Sequence, residues 1–333
     1  MAISRADQRW LESAARLSLR GRPLSRPNPA VGAVIVRGSA VIGRGWTQAG
    51  GRPHAEAMAR AQAGGDIADA TVYVSLEPCA HVSERGPACA DLLVAARPAR
   101  VIIGVADPDP RTAGAGMARL RQAGIEAELA DCAASRASLA GYLSQRQLGR
   151  PHVTLKLALS IDGSIATAQG ESQWISGAAA RWHVHSRRAL ADAIVVGGAT
   201  WRGDRPGLDV RLAGLEARSP EPLVLSRGVV VGALALPNPR AIHDLPHIQY
   251  LYLEGGGGAA AAFLADDLVD RLEIYRAPIV IGGGRAGLGD IGLAALAEAH
   301  GRWTLTERRQ LGSDSFTAYE RTRTGSERVC SPG

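Results

Sequence analysis

The chain runs to 333 residues, 46% of them hydrophobic and 21% charged, with a formal net charge of +6. That length and balance suit a water-soluble protein with two domain cores, and no run of about 18 apolar residues offers a membrane span. The basic excess is scattered and aromatics make up only 4%, few for stacking single-stranded bases; scattered charge suits phosphorylated small molecules as well as nucleic acid, so charge alone does not choose a partner.

A first helix is predicted from Ser4 to Gly21. Ser4 and Asp7 stand at capping-box spacing, Trp10, Ala14 and Leu17 form an apolar stripe, and Gly21 stops it. The rigid loop Arg26-Pro27-Asn28-Pro29 leads into a strand at Val31 to Val36, with Val41 to Trp46 as its hairpin partner. A helix follows from His54 to Ala63, then a strand from Thr71 to Leu76 that delivers Glu77-Pro78-Cys79. Cys89 opens an apolar helix to Ala96. Arg100 to Val105 is a buried strand, Met117 to Ala123 a helix, Glu126 to Ala130 a short strand, and Ser135 to Leu148 a helix ending at Gly149-Arg150-Pro151. This order implies an α/β layered domain, largely parallel in its far half.

His54, Cys79 and Cys89 are the donor types zinc takes, and three of them leave a catalytic metal one position for water. The metal lowers the pKa of that water, and a carboxylate that is not a ligand must then move protons. Glu56, two residues after His54, fits the H-x-E half of the zinc-deaminase signature, while the cysteine spacing is wider than P-C-x-x-C. His54 and Glu56 serve one water only if the helix start itself faces the metal, where free N–H groups favour an anion. A helix start also lowers the pKa of Cys89. Taken singly, each of these residues reads equally as an ordinary buried histidine or thiol. The four cysteines and the absence of a charged-then-apolar leader make the cytoplasm the expected location, with Cys132 and Cys330 incidental.

The second half starts near Pro151. Val153 to Ala158 is a buried strand containing Lys156, the only lysine in the chain. A lysine in such a run is costly unless paired or functional, although its stem can also snorkel. A turn at Asp162-Gly163, a second short strand and a polar loop lead to a helix from Gly177 to Leu190. Asp192 to Gly197 is a strand of parallel-sheet type, followed by a permissive loop through Asp204. Leu251 to Leu253 is another buried strand, running through Glu254 and Gly255 to Gly258 into an alanine-rich helix. Glycines there let backbone N–H groups approach a phosphate, or act as a linker. Arg271 to Ile281 is a further strand, and Trp303 to Arg309 with Ser315 to Thr322 an antiparallel pair.

PNPAVGAVIV, PHAEAMA, TVYVSLEPCAH and GPACADLL in the first half, and LKLALSIDGSIATAQGESQWIS in the second, resemble the bifunctional deaminase–reductase family of riboflavin biosynthesis across the whole chain. The resemblance implies an α/β fold in two domains. One is a cytidine-deaminase-like α/β/α domain over 1–148; the other is a dihydrofolate-reductase-like α/β domain over 151–324, with a flexible tail at 325–333. It implies Zn2+ on His54, Cys79 and Cys89, Glu56 as proton shuttle, and Asn28 and His81 at the pyrimidine. Nine residues separate the cysteines, where the family usually has eight.

In the second domain the resemblance implies NADPH contacts from Ala158, Trp174, Thr200, Asp204 and the run Gly256, Gly257, Gly258, Ala259, Ala260, Ala261 and Ala262. It implies substrate contacts from Ser172, Arg188, Leu208, Arg211 and Glu254, the arginines suiting a ribose phosphate. On the residues alone, Asn28 also reads as a turn residue, Trp174 as a lid or core aromatic, and the two arginines as surface charges. Lys156 and Glu254 are the candidates for orienting or protonating the opened sugar. The expected substrate is 2,5-diamino-6-ribosylamino-pyrimidinone 5′-phosphate, with no nucleic acid and no membrane, in a homodimer or homotetramer. Two rival readings are a zinc deaminase with a non-catalytic second domain and a deaminase acting on nucleic acid; NADPH binding separates both from the first.

Overall fold

The computed structural model of the chain describes residues 3–81 and 83–323. They form two compact units, the first built by the chain up to Pro151 together with Pro246–Gln249, the second by His152–Leu245 and the chain from Tyr250 on. The expected tail at 325–333, and Cys330 with it, lies outside the described residues.

In the first unit, α1 (Arg5–Ser18) starts at the anticipated capping box, with the Asp7 N–H on Ser4 Oγ at 3.1 Å and the Ser4 N–H on Asp7 Oδ2 at 2.9 Å. The expected α-helix over 4–21 changes to a 3-10 turn after Ser18. Strands β1 (Gly32–Arg37), β2 (Ala40–Trp46), β3 (Thr71–Val74), β4 (Arg100–Ile103) and β5 (Glu126–Leu129) form one sheet in the order β2-β1-β3-β4-β5. β1 pairs antiparallel with β2 and β3, while β3, β4 and β5 run parallel. Period-2 alternation buries both faces. Ala33, Ile35, Val72, Val74, Val101 and Ile103 pack on α2 (Ala55–Gln62), α3 (Cys89–Ala96) and α4 (Ala115–Gln122). Val34, Val36, Tyr73 and Ile102 pack on α1 and on Cys132.

The single helix expected over 135–148 is two, α5 (Ala133–Ser138) and α6 (Ala140–Leu148). Ser138 Oγ turns back onto the Ser135 carbonyl at 2.9 Å, a local bond that competes with helix continuation, and Leu139 at the break is fully buried.

The second unit holds β6 (His152–Leu159), β7 (Ser164–Ala166), α7 (Ala178–Arg188), β8 (Ala193–Gly197), α8 (Gly198–Asp204), β9 (Glu221–Leu225), β10 (Leu234–Leu236), β11 (Tyr250–Leu253), α9 (Gly257–Ala265), β12 (Arg271–Arg276), β13 (Arg285–Ala286), β14 (Trp303–Leu311) and β15 (Asp314–Arg321). Its main sheet runs β10-β9-β8-β11-β6-β12-β15-β14, parallel from β10 to β12 and antiparallel at β15 and β14. β13 pairs with β7 in a separate two-stranded ribbon. Burial alternates strictly along β6, so Val153, Leu155, Leu157 and Leu159 are buried while Lys156 and Ala158 share the opposite, half-open face.

Two expectations are corrected here. The segment after β8 is a short helix rather than a loop, because Trp201 packs against the core formed by Ile194, Val196 and Val224. The strand expected over 271–281 stops at Arg276, just before Pro278, which has no N–H for the ladder. Among the described residues no helix is long and apolar enough to cross a membrane.

Candidate metal centre and cofactor cavity

The first site forms where two helices begin. His54 is the N-cap of α2, in extended conformation (φ −74°, ψ 165°), and Glu56 lies in the first turn at only 4% exposure. Cys89 is the first residue of α3, and Cys79 lies in the loop after β3. His54 Nδ1 stands 3.2 Å from Cys89 Sγ and 3.5 Å from Cys79 Sγ, and the three donor atoms all lie within 4.8 Å of one another. No side chain caps α3; the Cys89 backbone N–H donates to Cys79 Sγ at 3.3 Å instead.

The Cys79–Cys89 hydrogen bond, aided by His54, holds the Cys79 thiol down at about 4 against the opposing effect of burial. The same contact and burial push Cys89 up, overriding the lowering expected from its place at a helix start. Two sulfurs beside an imidazole are thus set in opposite directions by one another, a donor set that a zinc ion converts to two thiolates. Burial pulls His54 down, but its bond to Cys79 and the nearby Glu56 carry it upward overall. Burial likewise raises Glu56, with His54 opposing, which suits a carboxyl that carries a proton. These residues fit zinc.

Glu77 holds the cysteine loop in place. Its carboxylate accepts the N–H groups of Asp107 (3.2 Å), Gly114 (3.1 Å) and Met117 (3.0 Å), tying the Pro78-Cys79 turn to the start of α4. A Cβ on Gly116 would lie 2.0 Å from the Pro78 carbonyl oxygen, so the helix touches that turn directly. Arg85 and Arg52 anchor the segment between the cysteines through the Gly50 and Pro87 carbonyls.

The site opens on a cavity of about 230 Å³ lined by Asn28, His54, Glu56, Cys79 and His81 among others. Asn28 donates its amide to the Gly51 carbonyl at 3.1 Å, and His81 Nδ1 is buried with no partner among the described residues. The sequence reading missed Asp107, Asp109, Arg111, Tyr142 and Arg146 on the same wall. Tyr142 donates to Asp107 at 2.7 Å, and Arg111, with Arg146 behind it, holds Asp109 well below the usual carboxylate range. The only signal for them was the stiff acidic turn Asp107-Pro108-Asp109-Pro110 after β4.

The second unit carries a cavity of about 1390 Å³ at the strand ends, with room beyond what one drug-sized ligand needs. Lys156, Ala158, Ser172, Trp174, Thr200 and Asp204 line it, with Arg188, Leu208, Arg211 and Glu254 and the run Gly256 to Ala259. Ala260 and Ala261 are buried in the body of α9, and with Ala262 they do not line the cavity; only the first turn of the helix faces it. Trp174 is 66% exposed on the rim with the Arg181 guanidinium 4.8 Å over its ring, a lid position rather than a core one.

At the floor, Glu254 receives Arg188 Nε at 2.6 Å and Nη2 at 3.1 Å, with Lys156 Nζ at 3.5 Å. Burial favours the neutral acid, but Lys156 and Arg188 outweigh it and hold Glu254 below the ordinary range. Lys156 is thus paired, and Arg188 is a buried clamp rather than a solvated charge. A second buried acid escaped the sequence reading: Glu273, fully buried, meets Arg187 (2.6 Å), Arg271 (3.0 Å) and Tyr252 (3.0 Å). The glycine-rich start of α9, whose N-cap Gly256 has no side-chain cap, leaves backbone N–H groups open to a dinucleotide. The cavity fits NADPH.

A His-Cys-Cys metal cluster on an α/β sheet, followed by a parallel sheet with a glycine-rich cavity, defines a zinc deaminase joined to a nucleotide-dependent reductase. The model of the cytidine and deoxycytidylate deaminase zinc-binding region matches residues 4–105, and that of the RibD C-terminal domain matches residues 151–233 and 240–316. The chain belongs to the RibD family, the bifunctional deaminase–reductases of riboflavin biosynthesis. It is 35% identical to riboflavin biosynthesis protein RibD of Escherichia coli, covering 92% of this chain and 97% of that one. Identity to RibD of Mycobacterium tuberculosis is 38%, over 86% and 89% of the two chains. The solved structure of Acinetobacter baumannii RibD superposes with a TM-score of 0.82 at 33% identity, over 95% of this chain and 99% of that one. The deaminase/reductase from Thermotoga maritima gives the same TM-score at 25% identity. The enzyme uses Zn2+ and NADPH.

Proposed function

We propose that the unit built before Pro151 deaminates 2,5-diamino-6-ribosylamino-pyrimidinone 5′-phosphate and that the unit after it reduces the ribosyl group of the product to ribityl. His54, Cys79 and Cys89 would hold the zinc ion, which when bound would make a water acidic enough to act as nucleophile near neutral pH. Glu56, raised by burial and adjacent to that centre, takes the proton of the attacking water and passes it to the departing amino nitrogen. Asn28 and His81 flank the cavity and orient the pyrimidine edge.

The start of α9 and the cavity wall around it would hold NADPH, which when bound would be the hydride source for C1′ of the opened sugar. Lys156 donates the accompanying proton, and Glu254 positions it. Arg188, whose donors go to Glu254 and the Asp209 carbonyl, keeps that carboxylate ionised and fixed. Arg211, exposed beside Asp209, is left to meet the ribose phosphate. The observation that carries the reading is the Lys156–Glu254–Arg188 cluster at the floor of a glycine-rich cavity in the same chain as the metal cluster.

Single-turnover hydride transfer in Lys156→Met tests the second step; a loss of about 100-fold or more is expected, and full rates would remove Lys156 from the mechanism. Assembly as a homodimer or homotetramer is expected from the family resemblance, and a cytoplasmic location from the cysteine usage; sedimentation of the full chain checks the former.

A further inference from the structure

Five arginines stand on the wall of the large cavity, and their partners differ. Arg188 is spent on Glu254 and Asp209, Arg181 lies over Trp174 and donates to the Ser176 carbonyl, and Arg211 pairs with Asp209 at 3.4 Å. The guanidinium groups of Arg205 and Arg285 make no hydrogen bond or ion pair among the described residues. An NADPH molecule, with its pyrophosphate and 2′-phosphate, and a phosphorylated sugar together bring several phosphate groups into this space, so unspent guanidinium groups on its wall matter.

Of the two, Arg285, although exposed, has its guanidinium beside one glycine and its backbone neighbour beside another. Its guanidinium lies against Gly170, where a Cβ would fall 2.9 to 3.1 Å from the guanidinium atoms. Gly170 has φ +98° and closes a tight turn, its N–H donating to the Thr167 carbonyl at 3.0 Å, so glycine meets two demands there. The backbone carrying Arg285 pairs with Ala166 of β7. The next carbonyl, of Ala286, abuts Gly257 in the first turn of α9, where a Cβ would lie 3.0 Å away, and the Gly289 N–H donates to the Gly257 carbonyl at 3.2 Å. Arg205 and Arg211 belong instead to the segment tied to α7, through the Asp209 carbonyl on Arg188 and the Arg211 N–H on His185. The two unspent arginines thus serve different regions, and Arg285 serves the one beside the glycines.

We propose that Arg285 is a cofactor-binding residue that holds the pyrophosphate of NADPH against the start of α9. A guanidinium fork matches paired phosphate oxygens, and holding it against Gly170 lowers the ordering cost on binding. The inference rests on reading this cavity as the NADPH site.

Fluorescence titration of the full-length protein with NADPH and with NADH tests it, since both nucleotides carry the pyrophosphate and only NADPH carries the 2′-phosphate. Arg285→Ala is expected to weaken both by a similar factor, roughly 10- to 100-fold, at an unchanged melting temperature. Arg285→Lys, which keeps the charge but not the fork, is expected to lose less, about 3- to 10-fold. Unchanged affinity for both nucleotides overturns the assignment, and so does a loss confined to NADPH, which would place Arg285 at the 2′-phosphate. If Arg285→Ala melts early, the same comparison is read from Arg285→Lys, where unchanged affinity again overturns it. Wild-type protein that binds no NADPH would overturn the cavity reading itself, a result distinct from a variant that binds as tightly as wild type.

Discussion

Glu56 is a buried carboxyl and Glu254 a nearly buried one, yet their surroundings move them in opposite directions. Burial lifts Glu56, while Lys156 and Arg188 outweigh burial at Glu254 and keep it ionised. One is suited to exchange protons, the other to hold a fixed negative charge. Glu56→Gln is accordingly expected to cut deamination by about 10²- to 10⁴-fold with stoichiometric zinc retained; loss of the metal in that variant would make Glu56 a ligand instead. Glu273 gives a stability prediction. Burial raises it, but Arg187 and Arg271 prevail, so its folded value lies below the ordinary 4.5. The folded chain then binds this proton more weakly than the unfolded one. The stability it contributes is complete above about pH 5 and is lost as pH falls through the lowered folded value. Wild type is expected to exceed Glu273→Gln by about 3–5 kcal/mol near neutrality, with the gap in thermal melts closing below pH 4.5; a gap independent of pH would refute the ion-pair account.

Elements rather than single residues set the metal geometry, since His54 and Cys89 sit at two helix starts and Cys79 on a turn pinned by a third. Gly116→Ala forces α4 off the Pro78 carbonyl, and overpacking of this kind costs about 1–3 kcal/mol. Lower zinc occupancy and slower deamination are expected, with NADPH binding unaltered; metal analysis and a nucleotide titration on one preparation check both. These helix ends were legible because their signals are local: a capping box at Ser4 and Asp7, a glycine stop after Ala63, an apolar run from Cys89. The short helix α8 was not, since Gly197-Gly198 reads as loop and only the packing of Trp201 overrides that. β9 and β10 were also missed. β9 contains Pro222, which argues against a sheet interior, and β10 is three residues long at the sheet edge.

At the scale of the whole chain, two sites with different chemistry share one polypeptide. A zinc chelator is expected to abolish deamination and leave NADPH affinity unchanged; parallel losses would mean the units depend on one another. The pairing of activities was readable from motif strings, but cavity walls were not. Asp107 and Asp109 reach the first cavity from the turn after β4 and Tyr142 and Arg146 from α6, and beyond the stiff acidic turn nothing in the local sequence announces a shared destination. The alanines of α9 show the converse, a motif that runs on past the surface that uses it. Of the 38 basic residues in the chain a single one is lysine, and it stands on the floor of the reductase cavity with a fifth of its side chain accessible. An amine-acylating reagent therefore has one ε-amino target besides the α-amino group, free of the surface background that most proteins present. The mass of one adduct, and the slowing of its appearance by bound nucleotide, would report occupancy of that cavity directly, a built-in labelling handle requiring no engineered residue.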